Sequence, residues 1–139
     1  MRPDDGRVIP NFLSQALQGD DLSVYGDGTQ TRSFCYVDDL IRGIRLFADA
    51  SPETTAGEVI NLGSTDEIEI RELADVIIDV LDTDCGIVYE DLPKDDPQLR
   101  RPDTSRAEEL LDWSPSISLS EGIERTVPYF KEQLAISSN

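Results

Sequence analysis

Histidine is missing from all 139 residues, lysine occurs only at Lys94 and Lys131, and cysteine only at Cys35 and Cys85. Without histidine, the usual nucleophilic triads have no general base. A zinc centre has no imidazole, and the two cysteines, far apart and outside any metal-type pair, do not replace it. Free thiols in a reducing compartment are expected, with a disulfide as the alternative. No run is long and apolar enough to cross a bilayer. No apolar stretch follows the basic residue near Met1, so a signal peptide is not expected. There is no Gly-x-Gly-x-x-Gly turn and no Walker lysine. The nearest tyrosine–lysine pair, Tyr129 and Lys131, has the wrong spacing for a Tyr-x-x-x-Lys dyad. These absences point to a soluble, cytoplasmic, single-domain chain without self-contained catalytic machinery.

Acid is plentiful. Twenty-nine Asp and Glu against 12 Lys and Arg give a formal net charge of -17. Such a chain repels nucleic acid and anionic membranes at long range. Two accounts of the charge stand open: an acidic interaction module, or a solvated surface suited to high salt, where screening shortens self-repulsion. The acids are scattered along the chain and the apolar residues are periodic, which favours the second account, a halophilic one, and argues against disorder.

The apolar pattern alternates between helical and strand-like periods. Val8 to Leu17 has helical spacing, closed by Gly19. Leu22–Tyr25 reads as a strand, halted by the turn Gly26-Asp27-Gly28, and Ser33–Tyr36 as a second. Asp38 or Asp39 is placed to cap the next helix, which carries Leu40, Ile41, Ile44 and Phe47. Ser51–Gly57 reads as a polar loop, Glu58–Leu62 as a third strand, Ile70–Leu81 as an amphipathic helix and Gly86–Tyr89 as a fourth strand. Asp91–Pro102 is rich in proline and charge and reads as a loop. Ser105 and Glu108 fit a capping box opening a helix through Leu111. Ser120 is placed to cap a last helix bearing Ile123, Val127, Phe130 and Leu134, with Pro128 expected to kink or interrupt it. The fold class is therefore α/β or α+β.

In so acidic a chain an anion is held only where arginines converge, and the planar guanidinium suits phosphate because it donates two aligned hydrogen bonds. Arg7 precedes the first helix, Arg32 lies between the glycine turn and a strand, and Arg100 lies in the proline-rich loop beside Arg101. By itself, each reads more readily as a surface ion-pair partner than as an anion contact. The acid pairs Asp38-Asp39 and Asp95-Asp96 are weak acid–base candidates, since adjacent acids arise by chance here.

Several motifs resemble, in order, the extended short-chain dehydrogenase/reductases that act on nucleotide sugars, an NAD-dependent epimerase/dehydratase family. They are Gly6-Arg7-Val8-Ile9-Pro10-Asn11-Phe12, the run from Leu22 to Leu40 containing Tyr25-Gly26-Asp27-Gly28-Thr29-Gln30-Thr31-Arg32, Asn61-Leu62-Gly63, and Pro102-Asp103 with Ser105, Ala107, Leu110, Trp113 and Pro115. Asp95-Asp96-Pro97-Gln98-Leu99-Arg100-Arg101-Pro102-Asp103 resembles UDP-glucuronate decarboxylases in particular. The rivals within the family are a dTDP-glucose 4,6-dehydratase and a UDP-sugar 4-epimerase; outside it, a non-catalytic module docking on a Rossmann-bearing subunit.

The resemblance implies that Arg32 and Arg100 contact a diphosphate, that Arg7 and Asn11 lie near its phosphate or sugar end, and that Val24 and Tyr25 line a uracil and ribose pocket. For Tyr25, strand packing is an equal alternative. Asn61 is expected as a buried structural amide, and Leu110 and Trp113 as core. The ligand implied is a UDP-sugar such as UDP-glucuronate. In the family NAD is bound by an N-terminal Rossmann domain that also carries the Tyr-x-x-x-Lys dyad, and the reaction is oxidation at C4, loss of carbon dioxide and re-reduction. The sequence starts where the family is already past that dyad. The resemblance thus implies a substrate-binding part without the NAD-binding half, inactive alone, with a bared apolar face that invites self-association.

Overall fold

The computed structural model describes residues 7–91 and 103–134. Leu22 and Val24 alternate with Ser23 and Tyr25, and this period of two makes β1 (Leu22–Tyr25) a strand with one fully buried face. It pairs in parallel with β4 (Ile87–Glu90), Leu22 opposite Ile87 and Tyr25 opposite Glu90. The period of 3.6 in Phe12, Leu13 and Ala16 makes α1 (Val8–Leu17) a helix that lays this face on β1. Leu73, Ala74 and Ile77 do the same for α4 (Ile70–Leu81). Helices α1, α4 and α6 (Leu119–Gln133) pack on one another around Leu22, Val24, Ile123 and Phe130, the larger of two cores. Asp82, in the left-handed region at φ 49°, ends α4.

The smaller core gathers Ala107, Leu111 and Trp113 around α5 (Ser105–Leu111), with Ile60, Leu62 and Cys35 packed against it. Helix α2 (Val37–Asp49) leans on α5. The second sheet is minimal: β2 (Thr31–Arg32) runs antiparallel to β3 (Ile68–Glu69).

Several expectations are corrected. The second strand is Thr31–Arg32, not Ser33–Tyr36, because its partner β3 is only two residues long. Glu58–Leu62 forms no strand and pairs with nothing among the described residues. A strand exists only through a neighbour's hydrogen bonds, and here no neighbour is present. Within Ser51–Gly57, Pro52–Thr55 makes one short helical turn, α3. Helix α2 starts after Tyr36, and neither Asp38 nor Asp39 caps it. At α5 the helix starts as expected, but Asp103 replaces the capping box, its Oδ1 accepting from the Ser105 amide and hydroxyl at 3.1 and 2.8 Å. Ser118, not Ser120, caps α6 through the Glu121 amide. Helix α6 continues through Pro128, whose missing N–H would have bonded the carbonyl of exposed Glu124. Both cysteines are free and half-buried, and burial pushes the Cys35 thiol pKa up.

Candidate functional site

The parallel strands β1 and β4 end side by side. The Gly26 amide donates to the Glu90 carbonyl at 2.6 Å, joining their carboxyl ends. From β1 the chain enters the turn 26–30 and reaches Arg32; from β4 it enters the segment that carries Arg100 ten residues beyond Glu90. The carboxyl edge of a parallel sheet is where open α/β folds take ligands.

The turn is built by side chains acting on backbone. Asp27 Oδ1 accepts from the Thr29 amide at 3.1 Å and hydroxyl at 2.6 Å, bonds that hold its carboxyl below the ordinary 3.8. Gly28, at φ 76°, has no room for a Cβ, which would sit 2.8 Å from Arg71 Cβ and from Val24 Cγ1. The buried Gln30 amide donates to the Tyr25 carbonyl at 3.0 Å, closing the turn. The Gly28 and Gln30 carbonyls accept from the first amides of α4, Arg71 and Ile70, both at 3.0 Å. Those amides are thus spent inside the fold, and this helix start does not fit a dinucleotide pyrophosphate. No step through NAD is assigned to these residues.

Of the residues proposed from sequence, Val24 and Tyr25 lie at the end of β1, and Arg32 lies in β2 of the second sheet. Val24 is fully buried and belongs to the larger core, whereas Tyr25 is exposed beside Glu90. Arg32 is half-buried in β2, opposite Ile68, and its Nη1 donates to the Thr31 carbonyl at 2.7 Å. Next to it, Thr31 Oγ1 is buried without a hydrogen-bond partner among the described residues. Arg7 is the exposed residue before α1, and Asn11, half-buried, bonds its backbone amide to the Arg7 carbonyl at 3.0 Å. Arg100 lies outside the described residues. Asn61 is exposed rather than buried: with no strand to enclose it, its amide donates to the Asp103 carbonyl at 3.3 Å.

Two constructions escaped the sequence reading. One is Gln30, a polar side chain with no periodic signature. The other is a clasp around Asp39, whose carboxylate is 2% exposed. It accepts from the Ser116 amide at 3.1 Å, the Ser116 hydroxyl at 3.0 Å and the Ile117 amide at 2.9 Å, with Arg42 at 3.4 Å. Burial by itself raises the Asp39 pKa, but the bonds from Ile117, Ser116 and Arg42 outweigh it and hold the carboxyl below 3.8. Trp113 Nε1 donates to the Asp39 carbonyl at 2.9 Å, and the Arg42 guanidinium lies 5.7 Å from the Trp113 ring. Trp113 is core, as expected, and also the hinge post of the clasp. Asp39 is held ionised and fully engaged, so it is no acid–base group.

A cavity of about 620 Å³ opens beside the clasp, between Phe34 and Pro115. Asp66, Glu67, Glu72 and Glu108 line it, and no described arginine or lysine does. Its charge excludes it as a diphosphate site, and it shares no residue with the sheet edge.

Residues 1–63 match the profile of the NAD-dependent epimerase/dehydratase family. The chain is 40% identical over 139 residues to UDP-glucuronic acid decarboxylase 1 of Danio rerio, covering 100% of this chain and 32% of that protein. It is 43% identical over 131 residues to UDP-glucuronic acid decarboxylase 1 of Arabidopsis thaliana, covering 94% of this chain and 29% of that one. The crystal structure of UDP-glucuronic acid 4-epimerase from Bacillus cereus, solved with UDP-glucuronic acid and NAD, is similar at TM-score 0.84 and 32% identity, over 95% of this chain and 41% of that one. The chain thus spans about a third of the length of the curated relatives it matches. Its mixed α/β architecture is that of part of an extended epimerase-type structure. No helix among the described residues is long and apolar enough to cross a membrane.

Proposed function

We propose, for a chain that belongs to the NAD-dependent epimerase/dehydratase family, that it is the carboxyl-terminal, UDP-sugar-binding part of a UDP-glucuronate decarboxylase. The observation that supports this reading is the joined carboxyl end of β1 and β4, from which the turn 26–30 leads to Arg32 in β2. Arg32 and Arg100 are assigned to the diphosphate, and Arg7 and Asn11 to its sugar-side surroundings. Tyr25 is assigned to the base, with Val24 as the strand beneath it. The decarboxylase relatives near 40% identity favour UDP-glucuronate as the sugar. A UDP-sugar 4-epimerase is the second reading, favoured by the Bacillus cereus structure.

NAD is expected on the part of the longer protein outside this chain, and decarboxylation is not expected from this chain alone. Alone, its uncovered apolar face is expected to drive weak self-association, opposed by the -17 charge and eased by salt. That charge supports a high-salt setting for the protein.

The test is a calorimetric titration of UDP into the folded chain in molar salt. Binding is expected, and Arg32→Ala is expected to weaken it about 10- to 150-fold, the worth of a charge-assisted hydrogen bond or two. No heat from a folded sample, or equal binding by the variant, would sink the assignment.

A further inference from the structure

The cavity between Phe34 and Pro115 has a volume of about 620 Å³, inside the range of roughly 300–1,000 Å³ usual for small-ligand sites. Its four carboxylates, Asp66, Glu67, Glu72 and Glu108, have no cationic partner among the described residues. Arg42 turns to Asp39, Arg71 to Glu69, Arg106 to Glu58, and Arg125 to Asp38 and Glu121, so none of these guanidinium groups reaches the cavity. Helices α4, α5 and α6 all begin at its wall. Their positive ends together are worth about +1.5 charges, which still leaves the four carboxylates in excess by roughly two. Helix ends thus explain why some acid gathers here, and not why so much does.

A second feature is independent of charge. Thr104 lines the same cavity and is buried, at 5% exposure. It stands just before α5, where a threonine hydroxyl ordinarily accepts from a helix amide, yet it makes no such bond. Asp103 takes the Ser105 amide instead. The Thr104 hydroxyl bonds to nothing among the described residues, and it is not sealed in protein as the Thr31 hydroxyl is. Buried hydroxyls are normally satisfied, so one that opens on a cavity is set to meet what enters it. Between these polar groups, Phe34, Ile68, Pro115 and Leu119 give the wall apolar stretches.

We propose that this cavity binds an aliphatic di- or triamine, with its ammonium ends on the carboxylates and the Thr104 hydroxyl and its methylenes along Phe34 and Ile68. Two alternatives fit less well. A neutral polyol would leave the excess negative charge uncompensated. A metal ion needs its ligands gathered on a point, and no such cluster exists among the described residues. The site is separate from the sheet edge and stands whether or not UDP binds there.

The experiment titrates spermidine into the full chain in molar salt, followed by amide chemical shifts. A Debye length of about 3 Å there suppresses diffuse attraction to the net charge of -17 and leaves direct contacts. One saturable site is expected, with shifts centred on Thr65, Asp66, Ser116 and Ile117. Propylamine, with a single ammonium, is expected to bind at least about tenfold more weakly. Glu108→Gln and Thr104→Val are each expected to weaken spermidine about three- to tenfold, and Glu53→Gln, on exposed α3 away from the cavity, to leave it unchanged. Glu108 is exposed, so its variant keeps the fold and decides the matter even if Thr104→Val unfolds. Shifts that never saturate, shifts spread over the acidic surface, propylamine binding as tightly as spermidine, or Glu53→Gln weakening it as much as Glu108→Gln would each overturn the proposal.

Discussion

Helices α4 and α2 are nearly equal in length, 12 and 13 residues, both are amphipathic, and they are set into the molecule the opposite way round. Helix α4 turns Ile70, Leu73, Ala74 and Ile77 into the larger core and leaves Glu72, Asp75 and Asp79 to water. Helix α2 turns Asp39 and Gly43 inward and leaves Ile41, Ile44 and Phe47 to water. The first is held by area removed from water, the second by hydrogen bonds to a carboxylate and by a backbone close enough to exclude a methyl group. Helical period therefore tells that a face exists. It does not tell which molecule covers it.

The contrast can be broken from both ends. Leu73→Ala opens a cavity under α4 and is expected to lower the unfolding free energy by about 2–5 kcal/mol in urea denaturation. Asp39→Ala strips the acceptor from two amides and a hydroxyl and is expected to cost about 3 kcal/mol, from leaving those donors unmet. This second loss depends on pH. The folded carboxyl titrates below its ordinary 3.8, so its contribution is complete above that value and fades as pH falls through it toward the folded one. The gap between wild type and Asp39→Ala should then narrow in acid, whereas the Leu73→Ala gap should not; parallel behaviour of the two would refute the clasp as an ionic device. The smallest effect belongs to Ile44→Ala, expected within about 0.5 kcal/mol of wild type in the isolated chain. A large loss there would mean that the arc is already covered.

The same contrast explains what could be read beforehand. Val8–Leu17, Ile70–Leu81 and Leu22–Tyr25 form as their periodicity predicts, because each buries its apolar face within this chain. Glu58–Leu62 has the pattern of a strand and fails to become one for want of an edge to pair with. Ser33–Tyr36 fails differently: its aromatics pack as side chains while the backbone pairing ends at Arg32. Arginine chemistry proposes Arg32 as a phosphate contact, and the fold sets it in β2, just beyond the turn that Gln30 closes on the end of β1. Nothing local in sequence announces Gln30 or Asp39. The partner of Gln30 is a backbone carbonyl, and the partners of Asp39 lie 77 and 78 positions away.

That separation also has a temporal side. Synthesis delivers α2 long before the amides of Ser116 and Ile117 that grip it. At ordinary elongation rates of about 5–20 residues per second, 77 residues take roughly 4–15 s. Through that interval Asp39 has no clasp, Trp113 does not yet exist, and the apolar arc of α2 meets whatever the nascent chain has already folded or a chaperone supplies. A helix made early is thus among the last to be fastened, so a ribosome paused before Trp113 holds a chain whose larger core lacks α6 and whose smaller core has no centre.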